Sequence, residues 1–200
     1  GILHADHKAR YVGHSHAYVE KMQSQYGYDK LTAVSRDEIR GMIGTDAYFG
    51  GSLDMGSGHL HPLSFALGLA AAAKKAGVRI FDQSRVHKID HQTPAYVHTK
   101  NARIKADFVV MGCNGYIGAL EDQVTARVMP INNYILATEP LSDDLAHELI
   151  RDNVAVADSK FAINYYRLSQ DNRMLFGGTE SYRYRFPKDI GAAVRKPMLE

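Results

Sequence analysis

The chain has 200 residues, of which 45% are hydrophobic and 23% are charged, and its formal net charge is +2. This length and composition are ordinary for a folded protein of one domain or two small ones. Because charges of both signs are interleaved, there is no electrostatic argument for binding nucleic acid or an acidic membrane. No apolar run is long enough to span a bilayer. The lone cysteine, Cys113, excludes an internal disulfide framework and favours a reducing, cytoplasmic compartment.

Four histidines lie within the first 16 residues, at spacings that bring pairs of them together. A metal site is one interpretation, because imidazole is a common metal ligand. However, no cysteine and few carboxylates accompany them at ligand spacing, so solvated histidines on a helix and a loop are favoured. We therefore assign no metal site to this group, which comprises His4, His7, His14 and His16.

Two helices and a short strand are predicted in the first 51 residues. Aromatic and methionine side chains recur every fourth residue before a glycine, which predicts a helix at about 14–25. Ser35 and Glu38 match a capping box and predict a second helix that ends near Met42. Residues 48–51 are expected to form a short strand that turns at paired glycines.

The clearest order of elements lies between residues 48 and 90. Pro62 suits the first position of a helix, and Gly77 suits its left-handed C-terminal cap. The residues between them are leucine, phenylalanine and alanine on most sides, which is typical of a helix that packs closely on a sheet. Two strands, at about 78–81 and 84–89, are predicted to follow.

The glycine-rich sequence before this helix, GGSLDMGSGHLH, has two interpretations. Glycines near the start of a helix expose backbone N–H groups that bind phosphate. However, no Gly-Lys-Ser/Thr ends the loop, and Gly56 and Gly58 satisfy only the first half of GxGxxG. A role in backbone geometry is therefore favoured.

Two paired strands are predicted at 95–99 and 103–111. The apolar run Phe108–Met111 is typical of a strand buried on both faces. The chain must then turn at Gly112–Gly115, and ligands of open α/β sheets lie beyond the carboxyl ends of strands. Position alone thus makes this turn the best candidate ligand contact. We do not predict that Cys113 is a nucleophile, because no base can be assigned to it.

Residues 161–177 predict a hairpin that turns at Asp171-Asn172, two residues that tolerate positive φ. In the predicted register, Tyr165 and Arg167 share a face with Phe176. An arginine on an otherwise apolar strand needs an anionic partner, which is either a carboxylate of the protein or a ligand. Both alternatives are open at this point.

Three further segments complete the C-terminal part. Residues 128–138 predict a strand, and Ser142 caps a helix that ends near Ile150. The sequence SYRYRF alternates aromatic and basic residues, which is more typical of a solvated edge strand than of a site for single-stranded nucleic acid. A last helix is predicted at about 187–196.

Four segments, in this order, resemble the FAD-dependent amine and amino-acid oxidoreductases of the D-amino-acid oxidase/glycine oxidase superfamily, and among them the gamma-glutamylputrescine oxidase-like enzymes. The segments are GHLHPLSFALGLAAAAKKAGVRIFDQSRVHKI, IKADFVVMGCNGYIGAL, NNYILATEPLSD and NYYRLSQDNRMLFGGTE. The resemblance extends from about residue 26 to the end, and the order and spacing of the segments carry it.

The resemblance implies an α+β fold: a mixed or antiparallel substrate-domain sheet with flanking helices, plus a partial α/β FAD-binding segment. Residues 1–50 and 121–200 would belong to the substrate domain, and 51–120 would be the returning segment of the FAD-binding domain. The family's GxGxxG unit and its closing flavin segment have no counterpart, so we expect a piece of a longer protein. The helix after Pro62 would then expose apolar surface or pair with another copy of the chain.

The activity implied is oxidation of a C–N bond, at a CH–NH or CH–NH2 group of a small-molecule amine or amino acid, by hydride transfer to FAD. We assign no catalytic acid or base, because hydride transfer from a neutral amine can proceed without one. A role in polyamine catabolism would follow for the parent enzyme. The isolated chain is expected to bind no FAD and to be inactive.

The resemblance also implies roles for individual residues. Val86 occupies the position whose backbone meets the adenine of FAD. The cofactor also lies along the turn that contains Cys113, Asn114 and Tyr116. The strand of Arg167 carries a substrate-carboxylate arginine in glycine oxidase-like members, and its neighbour there is Tyr165.

Two alternatives remain beside this interpretation. A non-catalytic α+β module would use the face of Tyr165 and Arg167 to bind a small anion. A fragment of another FAD or NAD(P) enzyme would share the two-domain plan. The sequence leaves the oligomeric state open and predicts neither nucleic-acid nor membrane partners.

Overall fold

The computed structural model describes residues 1–181, 187 and 189–192. In chain order the elements are β1 (Ile2–Ala5), α1 (Ala9–Tyr26), β2 (Leu31–Val34), α2 (Arg36–Met42), β3 (Gly51–Asp54), α3 (Pro62–Lys75), β4 (Val86–Asp90), β5 (Ala95–Thr99), β6 (Arg103–Ala106), α4 (Asp122–Thr125), β7 (Asn132–Ala137), α5 (Asp143–Leu149), β8 (Ala155–Asp158), β9 (Tyr165–Leu168) and β10 (Met174–Ser181), with a 3₁₀ helix at Asn114–Tyr116. The predicted edge strand SYRYRF and the helix at 187–196 lie largely outside the described residues.

The described chain divides into two compact units. The large-sheet unit contains residues 1–61 and 133–181, and the small-sheet unit contains residues 62–132. The larger sheet has the strand order β2-β3-β1-β8-β9-β10-β7, and the smaller one has the order β4-β5-β6. β1 and β8 run parallel, whereas the pairs that β3 forms with β1 and β2 are antiparallel, so the larger sheet is mixed.

The core of the large-sheet unit lies between one face of the sheet and the helices α2 and α5. Alternate residues of β1 and β8 point into it, as the two-residue period of a strand requires. The isolated bridge between Ile43 and Ile150 joins the ends of the two helices. The most completely buried side chains are Leu3, Ile39, Ile43, Ile150, Val154 and Val156.

The capped helix ends are where the local sequence placed them, whereas α1 begins at Ala9 and not at about residue 14. Ser35 Oγ accepts a hydrogen bond from the Glu38 N–H at 3.3 Å, and a Glu38 carboxylate oxygen accepts one from the Ser35 N–H at 2.7 Å, which confirms the capping box. The Ser35 hydroxyl also donates to this carboxylate at 2.6 Å, and this bond, followed by the one from the Ser35 N–H, lowers the pKa of Glu38. Gly27 caps α1 at φ 62°, and Gly77 follows α3 at φ 90°, where glycine alone is unstrained.

Replacing Ser142 by alanine is expected to destabilise the large-sheet unit by about 1 kcal/mol. Ser142 Oγ accepts a hydrogen bond from the Leu145 N–H at 3.3 Å, and no other side chain among the described residues caps the N-terminus of α5. Denaturant unfolding followed by circular dichroism measures the loss. Ser24→Ala is the control, because the exposed Ser24 hydroxyl only donates to the Glu20 carbonyl inside α1; an equal loss in both variants would contradict the capping role.

The small-sheet unit exposes most of its apolar residues. No residue of α3 is buried, although its sequence is typical of a helix that packs on a sheet. The expectation that this helix exposes apolar surface is therefore confirmed. Its exposed large side chains are Leu63, Phe65, Leu67 and Leu69.

Two strand predictions in the small-sheet unit are wrong. Residues 78–81 are not in a strand, and the strand predicted at 103–111 ends at Ala106. Phe108 and Val110 are 89% and 94% exposed, because the three-stranded sheet provides no layers to cover an apolar strand on both faces.

The strand predicted at 48–51 is instead β3, which begins at Gly51. The paired glycines have φ of 137° and 156°, so they form the bend that precedes the strand and do not end it. A Cβ on Gly51 would overlap the carbonyl oxygen of His4 on β1, which explains why glycine opens this strand.

None of the helices among the described residues is both long and apolar enough to cross a bilayer.

Candidate functional site

One cavity in the small-sheet unit brings together residues that are far apart in the sequence. Its volume is about 430 Å³. Val86 on β4 lines it together with Cys113 and Tyr116, three of the four residues for which the resemblance implies a cofactor role. The complete lining is Arg85, Val86, His87, Cys113, Tyr116, Ile117, Ala119 and Leu120, and we call this space the Val86 cavity.

The start of β4 explains how consecutive residues reach the Val86 cavity. The register between β4 and β5 shifts between Val86 and Lys88, which leaves His87 without a paired residue opposite. Such a bulge interrupts the alternation of side chains along a strand and redirects them. Arg85, Val86 and His87 therefore all line the same space, and two of them carry basic side chains.

The opposite wall is the turn around Cys113. Asn114 has φ 47° and Gly118 has φ 57°, and the Tyr116 N–H donates to the Cys113 carbonyl at 3.0 Å. Asparagine is one of the few residues with a side chain that tolerates the left-handed region. Asn114 itself does not line the cavity, although it belongs to the same 3₁₀ turn.

The second candidate region is the face of β9 that carries Arg167. Arg167 is half-buried and donates to two neutral acceptors, the carbonyls of Leu60 and Leu168, each at 3.2 Å. None of the ion pairs within the described part of the chain includes Arg167. The anionic partner of Arg167 was expected to be either a carboxylate of the protein or a ligand. The described residues do not supply the carboxylate.

Tyr165 lies on the same face as Arg167, two residues away on β9. Its hydroxyl donates to the side-chain oxygen of Asn133. Burial, followed by the negative charge of Glu180, raises the pKa of Tyr165, so the phenol keeps its proton at neutral pH.

The predicted register of this hairpin is wrong by one residue. Leu175 lies opposite Arg167, and Gly177 lies opposite Tyr165. Phe176 instead stacks on Tyr166 with ring centroids 5.6 Å apart, on the core face. The turn at Asp171-Asn172 is confirmed, with Asn172 at φ 59°.

The face of Tyr165 continues across the sheet to β1. Ala157 on β8 lies opposite Tyr165 on one side and His4 on the other, and His4 also lies opposite Ser52 on β3. Residues directly opposite each other share a face. Only the methyl group of Ala157 therefore separates His4 from Tyr165 along this row.

Beside His4 a second cavity lies between α1 and the sheet. Its volume is about 470 Å³, with α1 as one wall and β1 and β3 as the floor. Sequence reasoning missed this cavity, because it weighed these histidines as metal ligands and favoured solvated side chains. The lining is His4, His14, Ser15, Tyr18, Met22, Tyr28, Leu31, Ser52 and Asp54, and we call this space the α1 cavity.

Asp54 is the acidic group of the α1 cavity. Its carboxylate accepts hydrogen bonds from the hydroxyls of Tyr28 at 2.6 Å and Ser57 at 2.7 Å, and from the Gly56 N–H at 2.9 Å. These bonds, with that of Tyr28 first, hold the pKa of Asp54 below its usual range, so it is charged at neutral pH. The same bond raises the pKa of Tyr28.

Among the residues that the structure describes, no group of three histidine, cysteine or acidic side chains is arranged to hold a metal ion.

A family model described as "FAD dependent oxidoreductase", the DAO family, matches residues 1–200. The chain belongs to this family. It is 37% identical over 201 residues to the probable oxidoreductase OrdL of Rhizobium meliloti (strain 1021), which covers 100% of this chain and 46% of that protein. It is 38% identical over 177 residues to the gamma-glutamylputrescine oxidoreductase of Escherichia coli (strain K12), and this match covers 88% of this chain and 42% of that protein. The chain thus spans less than half the length of these relatives.

Solved structures show the same fold at low sequence identity. The glycine oxidase from Geobacillus kaustophilus matches with a TM-score of 0.72 at 16% identity, over 96% of this chain and 50% of that chain. The L-proline dehydrogenase from P. horikoshii matches with a TM-score of 0.75 at 16% identity, over 99% of this chain and 54% of that chain. The predicted α+β class and the predicted family are confirmed, and the cofactor of this family is FAD.

Proposed function

We propose that this chain is the central part of a flavin-dependent oxidoreductase that oxidises a C–N bond of a small amine or amino acid. The observation that carries the proposal is the Val86 cavity, where Val86, Cys113 and Tyr116 meet in a chain of the FAD-dependent family. The name of the Escherichia coli relative makes gamma-glutamylputrescine the first substrate to test. A cytoplasmic location and a role in polyamine catabolism belong to the same proposal.

The residues present fit a part of FAD. The apolar side chains of Val86, Ile117 and Leu120, with the ring of Tyr116, suit a flat aromatic group such as adenine. Arg85 supplies a positive charge for a phosphate. When bound, FAD supplies the acceptor for a hydride from the substrate carbon.

The large-sheet unit would bind the substrate. Arg167 has no carboxylate partner among the described residues, so its guanidinium is available for the carboxylate of a ligand. Tyr165 beside it is held by Asn133 and keeps its proton, so it borders the site as a neutral group. We accordingly propose that 62–132 belongs to the FAD-binding domain and the large-sheet unit to the substrate domain, close to the division at residues 50 and 120 expected from the sequence.

The test uses the whole protein that contains this chain. It is expected to purify with a flavin absorbance band that gamma-glutamylputrescine bleaches in the absence of oxygen. Tyr116→Ala should lower the flavin content several-fold, because the ring borders the Val86 cavity. Phe161→Ala is the control, since Phe161 is an equally exposed aromatic residue of the large-sheet unit.

Two outcomes would contradict the proposal. If the whole protein contains no flavin but binds carboxylates in a way that depends on Arg167, the result would instead support a non-catalytic anion-binding module. Bound flavin that no amine or amino acid reduces would exclude the proposed reaction.

A further inference from the structure

The α1 cavity contains a negative charge that no cation of the described residues pairs with. The donors to Asp54 are the neutral hydroxyls of Tyr28 and Ser57 and backbone N–H groups. The nearby ammonium group of Lys30 pairs with Asp29 at 3.6 Å instead. A charged carboxylate in a cavity favours a cationic ligand, because the opposite charge offsets the loss of water from both groups.

The other walls of the α1 cavity also suit a cation. The rings of Tyr18 and Tyr28 both line it, and the faces of aromatic rings attract ammonium groups. His4 and His14 add ring nitrogens that accept hydrogen bonds in the neutral form. A carboxylate with two tyrosine rings is the arrangement expected for a protonated amine.

Asp54 and Arg167 lie in the same row of paired residues across the larger sheet. Asp54 lies opposite Ile2 on β1, and Ile2 lies opposite Ala155 on β8. The strands of Asp54 and Arg167 are three places apart in the order β3-β1-β8-β9, which corresponds to about 14 Å. The β8 residues on this face, Ala155 and Ala157, have small side chains, and Ile2 on β1 is the larger residue in the row between Asp54 and Arg167.

We propose that the α1 cavity binds the protonated amine of an elongated substrate whose carboxylate binds Arg167. Asp54 pairs with the ammonium group, and the rings of Tyr18 and Tyr28 enclose it. In such a substrate a chain of several methylene groups separates the two charged ends. The carboxylate end rests on the proposed function, whereas the amine end stands on the cavity itself.

Three probes that differ only in their charged ends test the proposal in calorimetric titrations of this chain. They are ε-aminocaproate with both charges, hexylamine with the amine alone and caproate with the carboxylate alone. Asp54→Asn should weaken the binding of hexylamine and ε-aminocaproate about tenfold and leave caproate unchanged. Tyr18→Ala should weaken the same two probes about threefold.

Matched controls are available for both variants. Tyr26 lies on α1 like Tyr18 and is 67% exposed, against 52% for Tyr18, but it does not line the cavity. Asp29→Asn removes an exposed carboxylate near Asp54 that also lies outside the lining. Neither Tyr26→Ala nor Asp29→Asn should change hexylamine binding. If Asp54→Asn unfolds the chain in circular dichroism, Tyr18→Ala decides, because Tyr18 is not part of the core.

The outcomes separate this inference from the proposed function. The amine site is refuted if hexylamine does not bind, or if it binds equally to the unmodified chain and to the Tyr18 and Asp54 variants. This conclusion does not depend on the result for Arg167→Ala. If Arg167→Ala leaves caproate binding unchanged while hexylamine binding depends on Asp54, the amine site is retained. Arg167 is then refuted as the residue that binds the carboxylate of the substrate.

Discussion

Replacing Ile150 by alanine is expected to destabilise the large-sheet unit by about 3 kcal/mol. Ile150 is 1% exposed and bridges to Ile43 within the core formed by β1, β8, α2 and α5. The loss has two parts, the transfer of the removed methylene groups and the cavity that remains when rigid strands cannot close around it. Denaturant unfolding followed by circular dichroism measures it, since the chain has no tryptophan.

The chain contains a control with the same chemical change. Ile135 lies on β7 and is 63% exposed, so Ile135→Ala removes atoms that already contact water. Its effect should stay within about 0.5 kcal/mol. Similar losses for the two variants would mean that Ile150 is not part of the cooperative core.

The whole enzyme with Arg167→Ala is expected to show a KM for a carboxylate-bearing substrate raised roughly thirtyfold, equivalent to about 2 kcal/mol. The Arg167 guanidinium donates only to two neutral carbonyls among the described residues. Its loss therefore removes a charge-assisted bond to the substrate. Arg167→Lys should give an intermediate KM, because it keeps the charge but not the planar group that reaches both carbonyls.

Steady-state kinetics with paired substrates, with and without a carboxylate, measure this effect. Arg151→Ala is the control, because Arg151 is exposed and pairs with Asp152 at 3.0 Å. A lower kcat with unchanged KM, or an equal rise of KM for both substrates, would show that Arg167 supports the structure of the loop at Leu60 and does not bind the carboxylate.

The helix ends could be predicted because their causes are local. The hydrogen bonds between Ser35 and Glu38 form within one turn, and the φ values of Gly27 and Gly77 depend mainly on the absence of a Cβ. The turn at Asn172 is of the same kind. These features do not require knowledge of what packs against them.

The wrong predictions concern what packs on a strand or pairs with it, which the pattern of the strand itself does not contain. The apolar run at Phe108 indicates a buried strand only if other layers cover it, and none of the described residues forms such a layer. The register of β9 and β10 depends on how residues 169–173 connect them, which decides whether Phe176 or Leu175 shares the face of Arg167. Alternation along one strand cannot choose between these registers.

For the candidate sites, the sequence by itself determined the family and the chemical types: a glycine-rich turn at Cys113, a tyrosine and an arginine at 165 and 167, and a helix after Pro62. The tertiary structure alone decided which of them meet. Val86 lines the same cavity as the turn because of a bulge in β4. His4 shares a row with Tyr165 because both residues lie opposite Ala157 on β8. Strand pairing acts between residues far apart in the chain, so the α1 cavity and its charge at Asp54 became visible only in the folded protein.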